Sequence, residues 1–313
     1  MNEKWNGDQM ADVKGKTVVI TGANSGLGFE TAFVLAGKGA EVILAVRNAS
    51  KGEKAVDRIT SAHPKANVSV MPLDLSDLRS IHQFSDSFLE NYDSLSILIN
   101  NAGVMIPPYS QTKDGFELQF GSNHLGHFAL TGLLLPIILS TPKSRVVTLS
   151  SLAANNGTIN FDHLDGKDQY KPMRYYAQSK LANLLFSREL QNKFEQHQAN
   201  SISVACHPGL SHTNLMSRGS GKPLNKFVHY LSKTFTQPAN MGALPTLYAA
   251  TEPTLRGGEY IGPDGKKGRK GFPKKDPIID SLYDKDASEK LWETSESMTG
   301  VQYPFTFANI NRS

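Results

Sequence analysis

The chain has a single cysteine, Cys206, among its 313 residues, which excludes an intramolecular disulfide framework and fits a reducing compartment. No apolar run approaches the ~18–20 residues that a membrane-spanning helix needs. The longest, residues 128–139, already contains Pro136. Residues 1–16 are polar and lack the apolar core of a signal peptide, so the expectation is a cytoplasmic protein without membrane insertion. An excess of charge of either sign is missing too: 33 Lys and Arg stand against 29 Asp and Glu, a net of +4. The one basic cluster, Lys266, Lys267, Arg269, Lys270, Lys274 and Lys275, is interleaved with Gly and Pro, and Asp276, Asp280, Asp284 and Asp286 follow at once. With no nucleic-acid recognition fold beside it, that stretch reads as a solvated loop, and nucleic acid is not an expected partner.

At 39% hydrophobic and 20% charged, the composition is that of a globular chain, long enough to bury a core without a disulfide or metal staple. Apolar, β-branched runs at residues 16–21, 41–46, 68–75, 95–100, 145–149 and 202–206 alternate with helical stretches. These stretches end near residue 38 or cover 51–62, 78–90, 115–135 and 175–194. Continuous apolar strands separated by helices predict a parallel sheet covered on both faces. The fold class is therefore α/β: a Rossmann-type doubly wound sheet in three layers, as a single domain. Residues 210–253 read as two helices and 259–261 as a short strand, and the remainder is rich in Gly, Pro and charge.

Thr21-Gly22-Ala23-Asn24-Ser25-Gly26-Leu27-Gly28 joins the first strand to the first helix. Glycines there let the backbone turn tightly and approach a pyrophosphate, which the helix N-terminus favours. The spacing is Gly-x-x-x-Gly-x-Gly rather than the commoner Gly-x-Gly-x-x-Gly, and its place in the first βα unit favours a dinucleotide cradle over a turn that is glycine-rich for packing alone. An acidic residue closing the second strand would accept the ribose hydroxyl of NAD. Here Ala45-Val46-Arg47-Asn48 stands instead, with Arg47 available to a 2′-phosphate. NADP(H) is expected in preference to NAD(H).

Tyr176 and Lys180 are four residues apart, on one face of a helix. A phenol titrates near pH ~10, and an adjacent ammonium favours the phenolate, as acid–base catalysis at neutrality requires. Tyr109 and Lys113 share that spacing but follow Pro107 and Pro108 in an expected loop. Ser150 and Ser151 close the fifth strand, at the sheet edge where ligands bind; a hydroxyl there serves either a substrate carbonyl or a helix cap. Asn123 lies inside an expected long helix, where its propensity is poor, so a local bend or a polar network must require it. His124 and His127 are three apart, but no Cys or acidic cluster completes a metal site, and none is expected. His207 stands between two readings, a packed or loop-bonded histidine and a ligand contact. Trp5 and Trp292 are candidates to pin the termini.

Together these residues resemble the short-chain dehydrogenase/reductase family. The resemblance rests on residues 21–28, Asp74-Leu75, Asn100-Asn101-Ala102-Gly103, Asn123, Ser150-Ser151, Tyr176 with Lys180, and His207-Pro208-Gly209 followed by Thr213. These occur in the family's order across residues 16–215. The phrases NNAGVM, NHLGHF, YAQSKLANLLF and HPG resemble the retinol-dehydrogenase-like branch, which includes WW-domain oxidoreductases, and are similar to light-dependent protochlorophyllide reductases. The resemblance implies that Tyr176 exchanges a proton with the substrate oxygen, which Ser151 holds. Lys180 would bind the nicotinamide ribose and lower the tyrosine pKa, and Asn123 would support a water relay through Lys180. Gly22, Asn24, Ser25, Gly26, Leu27 and Gly28 would cradle the cofactor. Asp74 and Leu75 would stand near its adenine, and Asn101, Ala102 and Gly103 would form its wall. Pro208, Gly209 and Thr213 would face the nicotinamide amide.

The expected organisation is an arm, residues 1–15; the Rossmann catalytic domain, 16–262, with a substrate-covering segment at about 210–237; and a C-terminal extension, 263–313. Residues 152–175 make a longer Ser–Tyr separation than in compact members, as in the longer-looped branch. The polar N-terminal arm speaks against a membrane-embedded retinoid, and one Cys206 fits the cysteine-rich pigment site poorly. Leu224, Phe227, Val228, Leu231 and Phe235 recur at helical spacing, as either core or an apolar substrate lid. The expected activity is hydride transfer between NADP(H) and the carbonyl or alcohol of a hydrophobic small molecule. A noncatalytic NADP-binding regulator is the alternative from another class; an isomerase or lyase using nicotinamide transiently stands behind it. Family members form homo-oligomers through their long helices, a contact the C-terminal addition could block.

Overall fold

The computed structural model describes residues 4–167, 170–211 and 236–305. The strands are β1 (Thr17–Thr21), β2 (Glu41–Val46), β3 (Asn67–Pro72), β4 (Ile97–Asn100), β5 (Arg145–Leu149), β6 (Ile202–Cys206), β7 (Tyr260–Pro263) and β8 (Pro273–Lys275). They form one eight-stranded sheet in the order β3-β2-β1-β4-β5-β6-β7-β8. The first seven are parallel and β8 runs antiparallel to β7. The winding reverses between β1 and β4, the switch point outside whose strand carboxyl ends sheets of this kind bind ligands.

The side-chain period of two sends alternate strand residues into separate cores. Val18, Ile20, Val42, Leu44, Ile99 and Val147 face one layer, with α1 (Gly26–Gly37) and α2 (Ala49–Ala62). Val19, Ile43, Leu98 and Val146 face the other, with α3 (Leu78–Asn91). Asn48 caps α2 by accepting from Lys51 N at 2.9 Å, and Asp77 caps α3 by accepting from Arg79 N at 3.0 Å.

The expected helix over 115–135 begins later and is not uniform. It comprises α4 (Leu118–Phe120), a π-helical segment (Gly121–Leu125) and α5 (Gly126–Leu133). Pro136 sits in the first turn of the next helix, α6 (Leu135–Ser140), where its missing N–H costs little. The long α7 (Pro172–Gln196) follows, again with proline in its first turn. Of the two helices expected in 210–253, α8 (Ala239–Thr251) is among the described residues. Thr213 and the stripe Leu224, Phe227, Val228, Leu231 and Phe235 lie outside them.

The expected boundary at residue 263 runs through β7, and the extension beyond it joins the fold. The stretch read as a solvated basic loop contains β8, an edge strand whose Pro273, Lys274 and Lys275 discourage further strand addition. Helix α9 (Lys285–Thr299) lies across α7, α5 and the π segment. Its Trp292 is 6% exposed and packs on Phe128, Phe186 and Tyr303, with ring centroids 5.1, 5.9 and 4.5 Å away. Trp5 in the arm meets Tyr248 of α8 edge-on at 5.2 Å. Both tryptophans thus pin terminal segments to the body. Among the described residues, no helix is long and apolar enough to cross a membrane. Replacing Trp292 with Ala should lower stability by about 3–5 kcal/mol in urea denaturation; a loss below about 1 kcal/mol would show that the segment does not brace the body.

Candidate active site

The six parallel strands β1 to β6 deliver every described candidate residue to one edge of the sheet or to the helix packed beneath it. Gly22 and Gly26 take left-handed backbone conformations, φ 68° and 63°, which side chains rarely adopt. A Cβ at Gly28 would meet the Asn101 amide, so the loop between β1 and α1 must be bare at this point. Asn24, Ser25 and Leu27 complete the turn into the N-terminus of α1. Gly22 N donates to Ala45 O at 2.8 Å, placing the end of β2 alongside. Arg47, two residues further, is exposed. Asp74, beyond β3, accepts from Ser76 Oγ at 2.6 Å. The Leu75 carbonyl closely faces Gly126 of α5, where a Cβ would stand 2.5 Å from it.

Thr21 Oγ1 joins three of these elements. Asn101 N and Ala102 N both donate to it at 2.9 Å, and it lies 2.9 Å from His127 Nε2. His127 Nδ1 lies 2.8 Å from Asn123 O, a carbonyl that can only accept, so the proton sits on Nδ1. Nε2 therefore accepts the Thr21 hydroxyl proton. The Asn101 side chain donates to Thr21 O at 2.7 Å. Asn101, expected as cofactor wall, thus also ties the end of β4 to the glycine loop.

The π segment gives Asn123 both a bend and a network. Its Oδ1 accepts from Val104 N at 2.8 Å; its Nδ2 donates to Val104 O and to Ser179 Oγ, both at 3.0 Å. Ser179 Oγ donates in turn to Tyr176 O at 2.8 Å on α7. A Cβ at Gly103 would crowd Asn123 Oδ1 at 3.1 Å, with Lys180 Nζ at 3.6 Å.

On α7, Tyr176 and Lys180 are both buried. Burial raises the Tyr176 phenol above its ordinary 10.0, and a hydrogen bond with Ser151 pulls the other way. Lys180 Nζ donates to Leu149 O at 3.0 Å and stands 5.9 Å from the Tyr176 ring. Burial lowers its ammonium from 10.5 to about 8. The adjacent serines separate cleanly. Ser150 Oγ turns to Lys180 O at 2.7 Å, whereas Ser151 both meets Tyr176 and caps a turn by accepting from Ala153 N at 3.2 Å. In the competing pair, Tyr109 is exposed and Lys113 is held by Asp77 at 2.6 Å. Beyond β6, Pro208 and Gly209 (φ 64°) begin the segment that leaves the same sheet edge.

His207 is fully buried and loop-bonded: its Nδ1 accepts from Gly209 N at 3.2 Å. His124 lies 2.9 Å from Ser295 Oγ and His127 is committed to Thr21, so the two bond in different directions. No group of three or more His, Cys, Asp and Glu among the described residues is placed to hold a metal. Thr21, His127, Ser179 and Gln237 were not singled out as site residues from the sequence. The one available signal was a hydroxyl residue closing an otherwise apolar strand.

This arrangement is that of an alcohol–carbonyl oxidoreductase on a dinucleotide-binding sheet. The chain belongs to the short chain dehydrogenase family, whose family model matches residues 16–222. It is similar to human retinol dehydrogenase 14, with 39% identity over 305 residues covering 92% of this chain and 87% of that protein. A crystal structure of an uncharacterized protein from Mycobacterium paratuberculosis is 40% identical, covers 96% of this chain and 100% of its own, and superposes with a TM-score of 0.79. A short chain dehydrogenase from Escherichia coli CFT073, solved with NADPH, shares the fold with a TM-score of 0.59 at 22% identity, covering 80% of this chain and 97% of its own.

Burial holds His127 at about 4 and His124 at about 3, against an ordinary 6.5. Above pH 6.5 both are neutral in either state. Below it the unfolded chain takes up protons that the folded chain refuses, so stability falls with pH. The expected loss is about 1.4 kcal/mol per histidine per pH unit. Urea midpoints between pH 7 and 5.5 should fall accordingly; a flat profile would contradict the neutral, hydrogen-bonded assignment of His127.

Proposed function

We propose that this chain is a cytoplasmic, NADP(H)-dependent oxidoreductase acting on the carbonyl or alcohol of a hydrophobic small molecule, with Tyr176 as general acid and base. The carrying observation is the placement of Lys180. An ammonium has three donors, and this one spends a single donor on Leu149 O. Buried without a carboxylate partner among the described residues, it is suited to ribose hydroxyls and to a developing phenolate beside it.

The glycine loop suits a pyrophosphate because Gly22 and Gly26 make left-handed turns that bring bare backbone to the N-terminus of α1. Gly22, Asn24, Ser25, Gly26, Leu27 and Gly28 would hold the phosphates. Arg47 would take the 2′-phosphate, Asp74 and Leu75 the adenine end, Asn101, Ala102 and Gly103 one wall, and Pro208, Gly209 and Thr213 the amide. When bound, nicotinamide supplies or accepts the hydride. Ser151 orients the substrate oxygen against Tyr176 Oη, which gives the proton in reduction and takes it in oxidation. Lys180 favours the phenolate at that moment, and Asn123, fixed on Val104 and Ser179, supports the relay that restores the proton.

An apolar substrate is supported by the rim. Among the described residues the exposed large apolar side chains are Leu89, Ile106, Tyr109, Met173 and Leu210. All but Leu89 stand on segments leaving the carboxyl ends of β4, β5 and β6.

The test is titration of the purified protein with NADPH and NADH, followed by an aldehyde and ketone panel. NADPH binding with consumption on apolar carbonyls supports the reading. Binding without turnover favours a regulator, and binding of neither cofactor overturns it. Tyr176→Phe should lower kcat about 10²–10⁴-fold while leaving the Kd for NADPH largely intact; retained turnover would remove the acid–base assignment. Arg47→Asp should reduce the preference for NADPH over NADH about 10–100-fold. An unchanged ratio of kcat/KM values would show that Arg47 does not meet the phosphate.

A further inference from the structure

Residues 264–276 have no part in the chemistry proposed above, yet they enclose the loop leaving β6. Gly209 passes so close to this stretch that a Cβ there would stand 2.4 Å from the Arg269 carbonyl. Leu210 N donates to that same carbonyl at 2.7 Å. Gln237, buried just ahead of α8, uses its backbone N–H and both side-chain polar atoms. Its N donates to Leu210 O at 2.7 Å, its Nε2 donates to Pro208 O at 2.9 Å, and its Oε1 accepts from Gly271 N at 3.1 Å.

A second brace enters from the other side. Because His207 Nδ1 accepts from Gly209 N, the ring proton lies on Nε2, which faces Asp276 Oδ2 at 3.3 Å. Asp276 is itself fixed, its N donating to Tyr260 O at 2.7 Å and its Oδ1 accepting from Ile278 N at 3.1 Å. Burying an imidazole this fully leaves no water to satisfy either nitrogen, so both bonds fix the ring. The hydrogen bond from His207 also holds the Asp276 carboxyl below its ordinary range. Gly209 N is thus satisfied by the braced His207 ring, Pro208 O by Gln237 and Ser211, and both polar backbone groups of Leu210 by Arg269 and Gln237, while Gly209 keeps its left-handed turn.

We infer that Asp276, His207 and Gln237 are positioning residues, through which the extension beyond β7 shapes the Pro208–Gly209 loop to receive the nicotinamide end of the cofactor. This rests on the cofactor reading above. The consequence is selective: loosening the brace weakens interactions at the nicotinamide end and leaves the adenine end alone.

The full chain is titrated with NADPH and, separately, with adenosine 2′,5′-bisphosphate, which carries the adenine end without nicotinamide. Asp276→Ala and Gln237→Ala should each weaken NADPH binding about tenfold while binding the bisphosphate as the unaltered protein does. His207→Leu should behave like Asp276→Ala. His207→Asn, whose Oδ1 can replace Nδ1 as acceptor for Gly209 N but whose amide falls short of Asp276, should retain more affinity than His207→Leu and less than the unaltered protein. Retained bisphosphate binding shows that a variant is folded; should His207→Leu fail to fold, the two alanine variants carry the test. Equal loss for both ligands, or no loss for NADPH, overturns the inference. If the unaltered protein binds the bisphosphate but not NADPH, or binds neither, the cofactor reading itself fails.

Discussion

Thr21 Oγ1 takes two backbone N–H groups from the chain leaving β4 and gives its proton to His127, so three elements meet at one buried atom. Interior polar groups are costly unless satisfied, and a partly satisfied network is worse than none. Each bond here therefore constrains the next. The His127 tautomer follows from the Asn123 carbonyl, and that carbonyl is placed by the π segment. The same segment aims the Asn123 side chain at Val104, which fixes Gly103 beside Lys180. Geometry at α7, which carries Tyr176 and Lys180, is thus inherited from the switch point of the sheet, through bonds that tolerate little displacement.

The parallel strands were legible because buried strands need continuous β-branched, apolar runs; 41–46, 145–149 and 202–206 coincide with β2, β5 and β6. Other parts carry no such imprint. β8 is Pro-Lys-Lys, an edge strand that obeys the demands of an exposed edge rather than those of a core. In α9 the buried face is Ser288, Leu291, Trp292, Ser295 and Thr299, too polar to show as an apolar stripe. The motif Tyr176–Lys180 was readable, and between the two serines the family resemblance, rather than the residues themselves, pointed to Ser151 over Ser150. That choice is made by the register at the end of β5, which turns one hydroxyl into α7 and the other toward Tyr176. Asn123 announced a constraint by its poor propensity, and the π segment is the form that constraint takes.

Lys180 shows how this scaffold supports chemistry. Burial disfavours its charge, as the fall to about 8 records, and no carboxylate among the described residues pairs with it, the nearby Cys206 offsetting only part of the cost. A stability-optimised interior would place a methionine or leucine there. The cost persists because the surrounding bonds leave the ammonium no route to solvent, and a group held ready in this way loses little by reorganising when charge develops nearby.

The C-terminal segment belongs to the same logic of constraint. Gly132 of α5 leaves a notch that a Cβ would fill, and Val301 and Tyr303 occupy it; Tyr303 donates to Phe128 O at 2.7 Å. Trp292, Tyr303 and Phe305 then close over Phe128, Phe186 and Phe194. The faces of α5 and α7 that carry Phe128, Phe186 and Phe194 are therefore covered by the chain's own residues. Association across those helices must begin by lifting α9 and exposing an aromatic cluster, and would also break the His124–Ser295 contact beside Asn123. A contact between copies that leaves this segment seated must use another surface, and one that displaces it would reach the candidate active site through the π segment.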